Sequence, residues 1–197
     1  MGGHRCWALV LCSIFGTAVE EALRMKVLLA VASRHGATWE IGARVADVLR
    51  GRDYGVDLVA PETVTGLDGY GAAVVGSAVY LTQLLPPARQ LLSRLRPELA
   101  AMPLWLFASG LARPFSGART AADLAQMAER LGAHGFQLFR GRLERDALSF
   151  AERVAAARVL NREGDHRDFE VIERWAGQIA DTLDQVASGS DSELRAS

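Results

Sequence analysis

The run Lys26–Ala32, K-V-L-L-A-V-A, stops abruptly at S-R-H-G-A-T (Ser33–Thr38), and a helical pattern begins at once behind it. The run has the length of one buried strand and is too short for a helix. Beyond it, Ile41, Val45, Val48 and Leu49 fall on one face of a helix. A strand, a loop of small residues and a helix together aim backbone N–H groups at an anion. The hydroxyls of Ser33 and Thr38 bracket the loop and can donate to phosphate oxygens, and Gly36, with no Cβ, lets the backbone come close. The segment reads as a phosphate cradle; the plainer alternative is an ordinary strand-to-helix turn that binds nothing.

Two common phosphate motifs are absent. A Walker loop needs a second glycine followed by Lys and Ser or Thr, and neither is present. The dinucleotide fingerprint needs three glycines, whereas Gly36 stands alone. What remains, S-x-x-G-x-T directly after the first strand, resembles the FMN-phosphate loop of flavodoxins.

With 197 residues, half of them hydrophobic and 23% charged, the chain can bury a self-sufficient core and is not a disordered polymer. A net charge of −1 gives no electrostatic footprint for nucleic acid. It also differs from electron-shuttling flavodoxins, whose acidity steers docking to partners. Both cysteines, Cys6 and Cys12, precede the first strand, so the main domain has no disulfide, thiolate metal site or redox dithiol. Electron chemistry would have to come from a bound cofactor, in keeping with a reducing cytoplasm.

Residues 1–24 form an N-terminal extension. His4 and Arg5 precede the apolar run Cys6–Phe15 and then Gly16-Thr17-Ala18, a pattern like a short signal segment and too short to span a bilayer. The favoured alternative is that Met25 is the natural start. The domain is then expected over 25–187, with an unstructured tail over 188–197.

Further strands are expected at Val56–Ala60, Ala72–Gly76, Pro103–Ala108 and Gly135–Phe139. Between them lie a loop from Ser77 to Leu85, a helix opened by Pro86-Pro87 and ending near Pro97, a loop from Ser109 to Gly117, and a helix over Thr120–Leu131. This alternation predicts an α/β, doubly wound five-stranded parallel sheet of flavodoxin-like order 2-1-3-4-5, with helices on both faces. An excursion from Gly141 to Gly164, with a helical segment over about Asp146–Leu160, precedes a closing helix that starts at Asp168.

Three more segments carry the resemblance. Ala73–Tyr80 (A-V-V-G-S-A-V-Y) and Trp105–Leu111 (W-L-F-A-S-G-L) are similar to the strands and loops on either side of a flavodoxin flavin. Phe139–Leu143, followed by Gly164–Phe169 (G-D-H-R-D-F) and Ile172–Trp175, resembles the C-terminal signature of the flavodoxin-type, quinone-dependent protoporphyrinogen oxidases and their relatives. The resemblance implies FMN as cofactor. It places the phosphate on Ser33, Arg34, His35, Gly36, Ala37 and Thr38, and the isoalloxazine between Ser77, Ala78, Val79 and Tyr80 and Ser109, Gly110 and Leu111. Tyr80 is the stacking candidate, or else packs on a neighbouring helix; Phe115 is a lesser one, and Trp105 and Phe107 read as core. Asp165 and Asp168 read as caps of the closing helix.

The resemblance further implies a tetrapyrrole substrate, a quinone or other redox acceptor, and a site at the inner face of a membrane. Here Phe150–Leu160 is alanine-rich, which allows only weak peripheral association. Arg140, Arg142 and Arg145 could meet propionates, although Glu144 and Asp146 interleave and favour a plain solvated surface. The alternatives are an FMN electron-transfer flavodoxin without its own substrate and a flavin-free interaction module. No catalytic acid–base group and no metal site is expected.

Overall fold

The computed structural model describes residues 25–80, 83–110, 114–143 and 164–194. Strand β1 (Lys26–Ala32) has every residue after Lys26 buried, and α1 (Ala37–Arg50) follows directly. β2 (Gly55–Val59) leads through a single 3-10 turn at Pro61–Thr63 to β3 (Ala72–Tyr80). A two-residue strand β4 (Gln83–Leu84) pairs antiparallel with the end of β3. Next come α2 (Pro86–Arg94), α3 (Arg96–Ala100), β5 (Leu104–Gly110), α4 (Pro114–Leu131), β6 (Gly135–Arg140) and β7 (Arg142–Leu143). β8 (Gly164–Asp165) pairs antiparallel with β7, and α5 (Phe169–Leu194) closes the chain.

The main sheet runs β2-β1-β3-β5-β6, all parallel, which is the expected order 2-1-3-4-5 when the five parallel strands are numbered along the chain. The sheet carries an apolar core on each face, as a parallel sheet must. On one face Ile41, Val45 and Leu49 of α1 meet Ile172, Ile179 and Leu183 of α5 over Val27, Leu29 and Val74. On the other, Leu91, Leu99 and Leu124 from α2, α3 and α4 cover Leu28, Val75 and Leu106.

Several boundaries differ from the sequence expectation. β3 continues four residues past Gly76 and β5 two past Ala108, so Ser77–Tyr80 and Ser109–Gly110 are strand ends rather than loops. The buried Ser77 hydroxyl explains the first case: it accepts from the Leu85 N–H at 2.9 Å and clips the β3–β4 hairpin shut. Pro97 does not end a helix; it lies in the first turn of α3, where a missing N–H costs nothing. α5 runs on to Leu194 through the segment expected to be an unstructured tail. The N-terminal extension over 1–24, the helix expected at 146–160, Leu111 and Arg145 lie outside the described residues.

Candidate functional site

The register brings three loop origins to one edge of the sheet. Ala32 of β1 is level with Ser77 of β3, Ser77 with Ala108 of β5, and Ala78 with Ser109. Between β1 and β3 the connections leave to opposite faces, which opens a crevice at the carboxyl ends of these strands. Ser33–Gly36 turns the chain into α1 at the mouth of that crevice.

Gly36 is the N-cap residue of α1, with φ 80° and ψ −25°, and no side chain caps the helix there. The left-handed conformation is what demands glycine. A Cβ at Gly36 would meet nothing within 4 Å, so the close approach expected from the sequence is not to protein atoms: the space above the loop is open. The Glu40 N–H bonds to the Gly36 carbonyl at 3.0 Å, while the N–H groups ahead of it in the first turn have no partner within the helix. The Ser33 hydroxyl is buried and has no hydrogen-bond partner among the described residues. A buried orphan hydroxyl is costly unless something fills its valence, and an anion seated on the uncapped turn would do so.

Thr38 has a protein partner. Its side chain is 2% exposed, and its Oγ1 lies 2.8 Å from Ser109 Oγ, a buried hydroxyl pair that ties α1 to β5. Either oxygen can donate; if Ser109 donates, the Thr38 proton remains for an anion in the loop. Arg34 leans over the Tyr80 ring, its guanidinium carbon 5.4 Å from the centroid, so loop and β3 end meet at the crevice. Ala37 is half-buried in the first turn, and the His35 side chain belongs to the same loop. Ala78, Val79 and Tyr80 are half-buried along the β3 end, and Gly110 packs its α-carbon face on Val79. Ser77 is fully buried; its hydroxyl also donates to the Ala78 carbonyl at 2.8 Å, so this side chain holds the hairpin. Trp105 and Phe107 are core, as expected.

Sequence reasoning did not find the ion-pair cluster behind the loop. The Arg167 side chain, 3% exposed, reaches Glu40 Oε2 at 2.7 Å and Asp165 Oδ2 at 2.5 Å. Its Nη1 also donates to the Ala37 carbonyl at 3.3 Å. Arg142 pairs with Glu40 from the other side at 3.0 Å. Hydrogen bonds from Arg167 pull the Asp165 carboxyl down to about 2. Asp165 is thus a partner of Arg167 and not a helix cap. Asp168 is the cap, accepting from the Val171 N–H at 3.1 Å.

A sequence model described as a flavodoxin domain matches residues 28–170, most of the chain. The chain belongs to the flavodoxin domain family. No curated protein matches it. A flavodoxin from the domain Archaea is 15% identical, with 81% of this chain aligned to 99% of that one at a TM-score of 0.54. Flavodoxin 1 of Bacillus cereus is also 15% identical, over 79% and 97% of the two chains, at 0.51. The rubredoxin oxygen:oxidoreductase of Desulfovibrio gigas is 18% identical and scores 0.59; 88% of this chain covers 41% of that one. At these identities the likeness is one of fold. Family membership implies FMN as the cofactor, and the residues present fit it: an uncapped helix start, an orphan hydroxyl and a crevice between two strand ends. No helix among the described residues is long and apolar enough to cross a membrane.

Proposed function

We propose that this flavodoxin-family protein is an FMN-dependent oxidoreductase of the protoporphyrinogen-oxidase-like branch, passing electrons from a reduced tetrapyrrole to a quinone or similar acceptor. The observation that carries the flavin part is the uncapped start of α1 at Gly36 with the buried, unpartnered Ser33 hydroxyl beside it. The phosphate would sit on Ser33, Gly36 and the first-turn N–H groups of α1, with Thr38 beneath it. The ring would lie between the β3 end (Ala78, Val79, Tyr80) and the β5 end (Ser109, Gly110). Bound there, FMN would supply the two-electron chemistry; the chain would supply position, a dry floor and electrostatics.

The branch is supported by the resemblance of Phe139–Leu143 and Gly164–Trp175, and by an excursion between β7 and β8 that a minimal flavodoxin lacks. Contact with a bilayer through that excursion would be weak and peripheral. The rival reading is an electron carrier without a substrate of its own, and the net charge of −1 counts against it, since steering between carriers depends on charge. Anaerobic incubation of FMN-loaded protein with protoporphyrinogen and a menaquinone analogue should yield protoporphyrin. Loaded protein that gives no turnover, yet is reduced and reoxidised by a redox protein, would overturn the enzyme reading in favour of the carrier.

A further inference from the structure

The signature G-D-H-R-D-F sends its arginine to the back of the phosphate loop. Glu40 stands in the first turn of α1, the helix whose start faces the crevice. A carboxylate there favours the free helix, because it complements the positive end of the dipole. Toward a phosphate monoester carrying about −1.5 to −2 charges it acts in the opposite sense, by repulsion. Arg167 and Arg142 both hold Glu40, at 2.7 Å and 3.0 Å, and Arg167 also holds Asp165. The two guanidinium charges cancel the two carboxylates. Of the four, Arg167 is the one almost wholly withdrawn from water, and its Nη1 also reaches the Ala37 carbonyl, the first residue of α1. Its guanidinium carbon lies 5.0 Å from the centroid of the Phe169 ring, which fixes it from the α5 side.

We infer that Arg167 is a charge-compensating positioning residue for the phosphate end of the cofactor: it neutralises Glu40 and holds the first turn of α1, so that an incoming phosphate meets N–H groups and no opposing charge. This rests on the FMN reading above. Arg167 itself stands behind the loop and acts through Glu40 and Ala37. Without it, Arg142 is left against two carboxylates, and the group carries one net negative charge behind the first turn of α1.

The role separates from a merely structural ion pair by comparing FMN with riboflavin, which has the same ring and no phosphate. Affinities of both are measured by flavin fluorescence quenching for the full-length chain and its variants. Arg167→Gln should weaken FMN about tenfold while changing riboflavin far less, and higher salt should narrow the gap by screening Glu40. Adding Glu40→Gln to Arg167→Gln should restore most of the FMN affinity. Should Arg167→Gln fail to fold, Glu40→Gln alone in the wild-type background should raise the FMN-to-riboflavin ratio severalfold. Parallel loss of both ligands, no rescue in the double variant, or an unchanged ratio in Glu40→Gln would overturn the inference. A wild-type chain that binds FMN no better than riboflavin would instead overturn the phosphate site on which the inference rests.

Discussion

Ser33 and Thr38 carry similar hydroxyls five residues apart in sequence, yet the fold gives them different work. Ser33 is left buried without a partner among the described residues, whereas Thr38 is clasped to Ser109 at 2.8 Å. Replacing both with alanine should lower FMN affinity by about a hundredfold in fluorescence titration, since each bond to a charged group is worth roughly 1.5–3 kcal/mol. Ser33→Ala alone should account for most of that loss, because its hydroxyl has no other use. The motif S-x-x-G-x-T was legible in the sequence; that its last hydroxyl turns inward was not, because Ser109 is brought to it only by the sheet register. Asp165 offers a second prediction at this scale. Its carboxyl is held near 2, below the ordinary 3.8, chiefly by the Arg167 hydrogen bond. A depressed carboxyl stabilises the fold above its ordinary value and loses that contribution as the pH falls through about 2. Thermal midpoints of wild type and Asp165→Asn should therefore differ at pH 5 and converge toward pH 2.

Between elements, the contact that fixes the middle of the sheet is Gly76 of β3 against Phe107 of β5. A Cβ on Gly76 would stand 2.1 Å from the Phe107 ring. That ring is itself locked edge-on between Phe139 at 5.8 Å and Trp175 at 5.9 Å, so it cannot give way. Gly76→Ala should cost about 3 kcal/mol in urea unfolding, the upper end of ordinary overpacking, and Phe107→Leu in the same chain should recover part of it. Apolar runs and helical stripes made the five parallel strands and their order readable. Strand ends were less so. Ser77-Ala78 looks like a loop by residue type, and the bond that keeps it in the strand comes from the Leu85 N–H across a hairpin. The closing helix likewise passes through Gly189 and Ser190, residues whose weak helix propensity marked a tail. The role of Arg167 within G-D-H-R-D-F is not legible in the sequence, since Glu40 is far from it in the chain and near it only when α1 and α5 lie side by side.

At the scale of the whole molecule, the crevice is framed by the loop after β1 and the ends of β3 and β5, so a ligand seated there links strands across the centre of the sheet. FMN at a hundred times its dissociation constant should stabilise the fold by about 2.7 kcal/mol, read as a rise in thermal midpoint that riboflavin at equal concentration reproduces only in part. The doubly wound architecture also sets an order of events. Every strand of the parallel sheet is made by Arg140, but the face lined by Val27, Leu29 and Val74 waits for Ile172, Trp175, Ile179 and Leu183 of α5. A chain leaving the ribosome thus carries a greasy flank only half covered by α1 until this helix emerges, and truncation ahead of Ile179 should yield a product that chaperones retain or proteases clear.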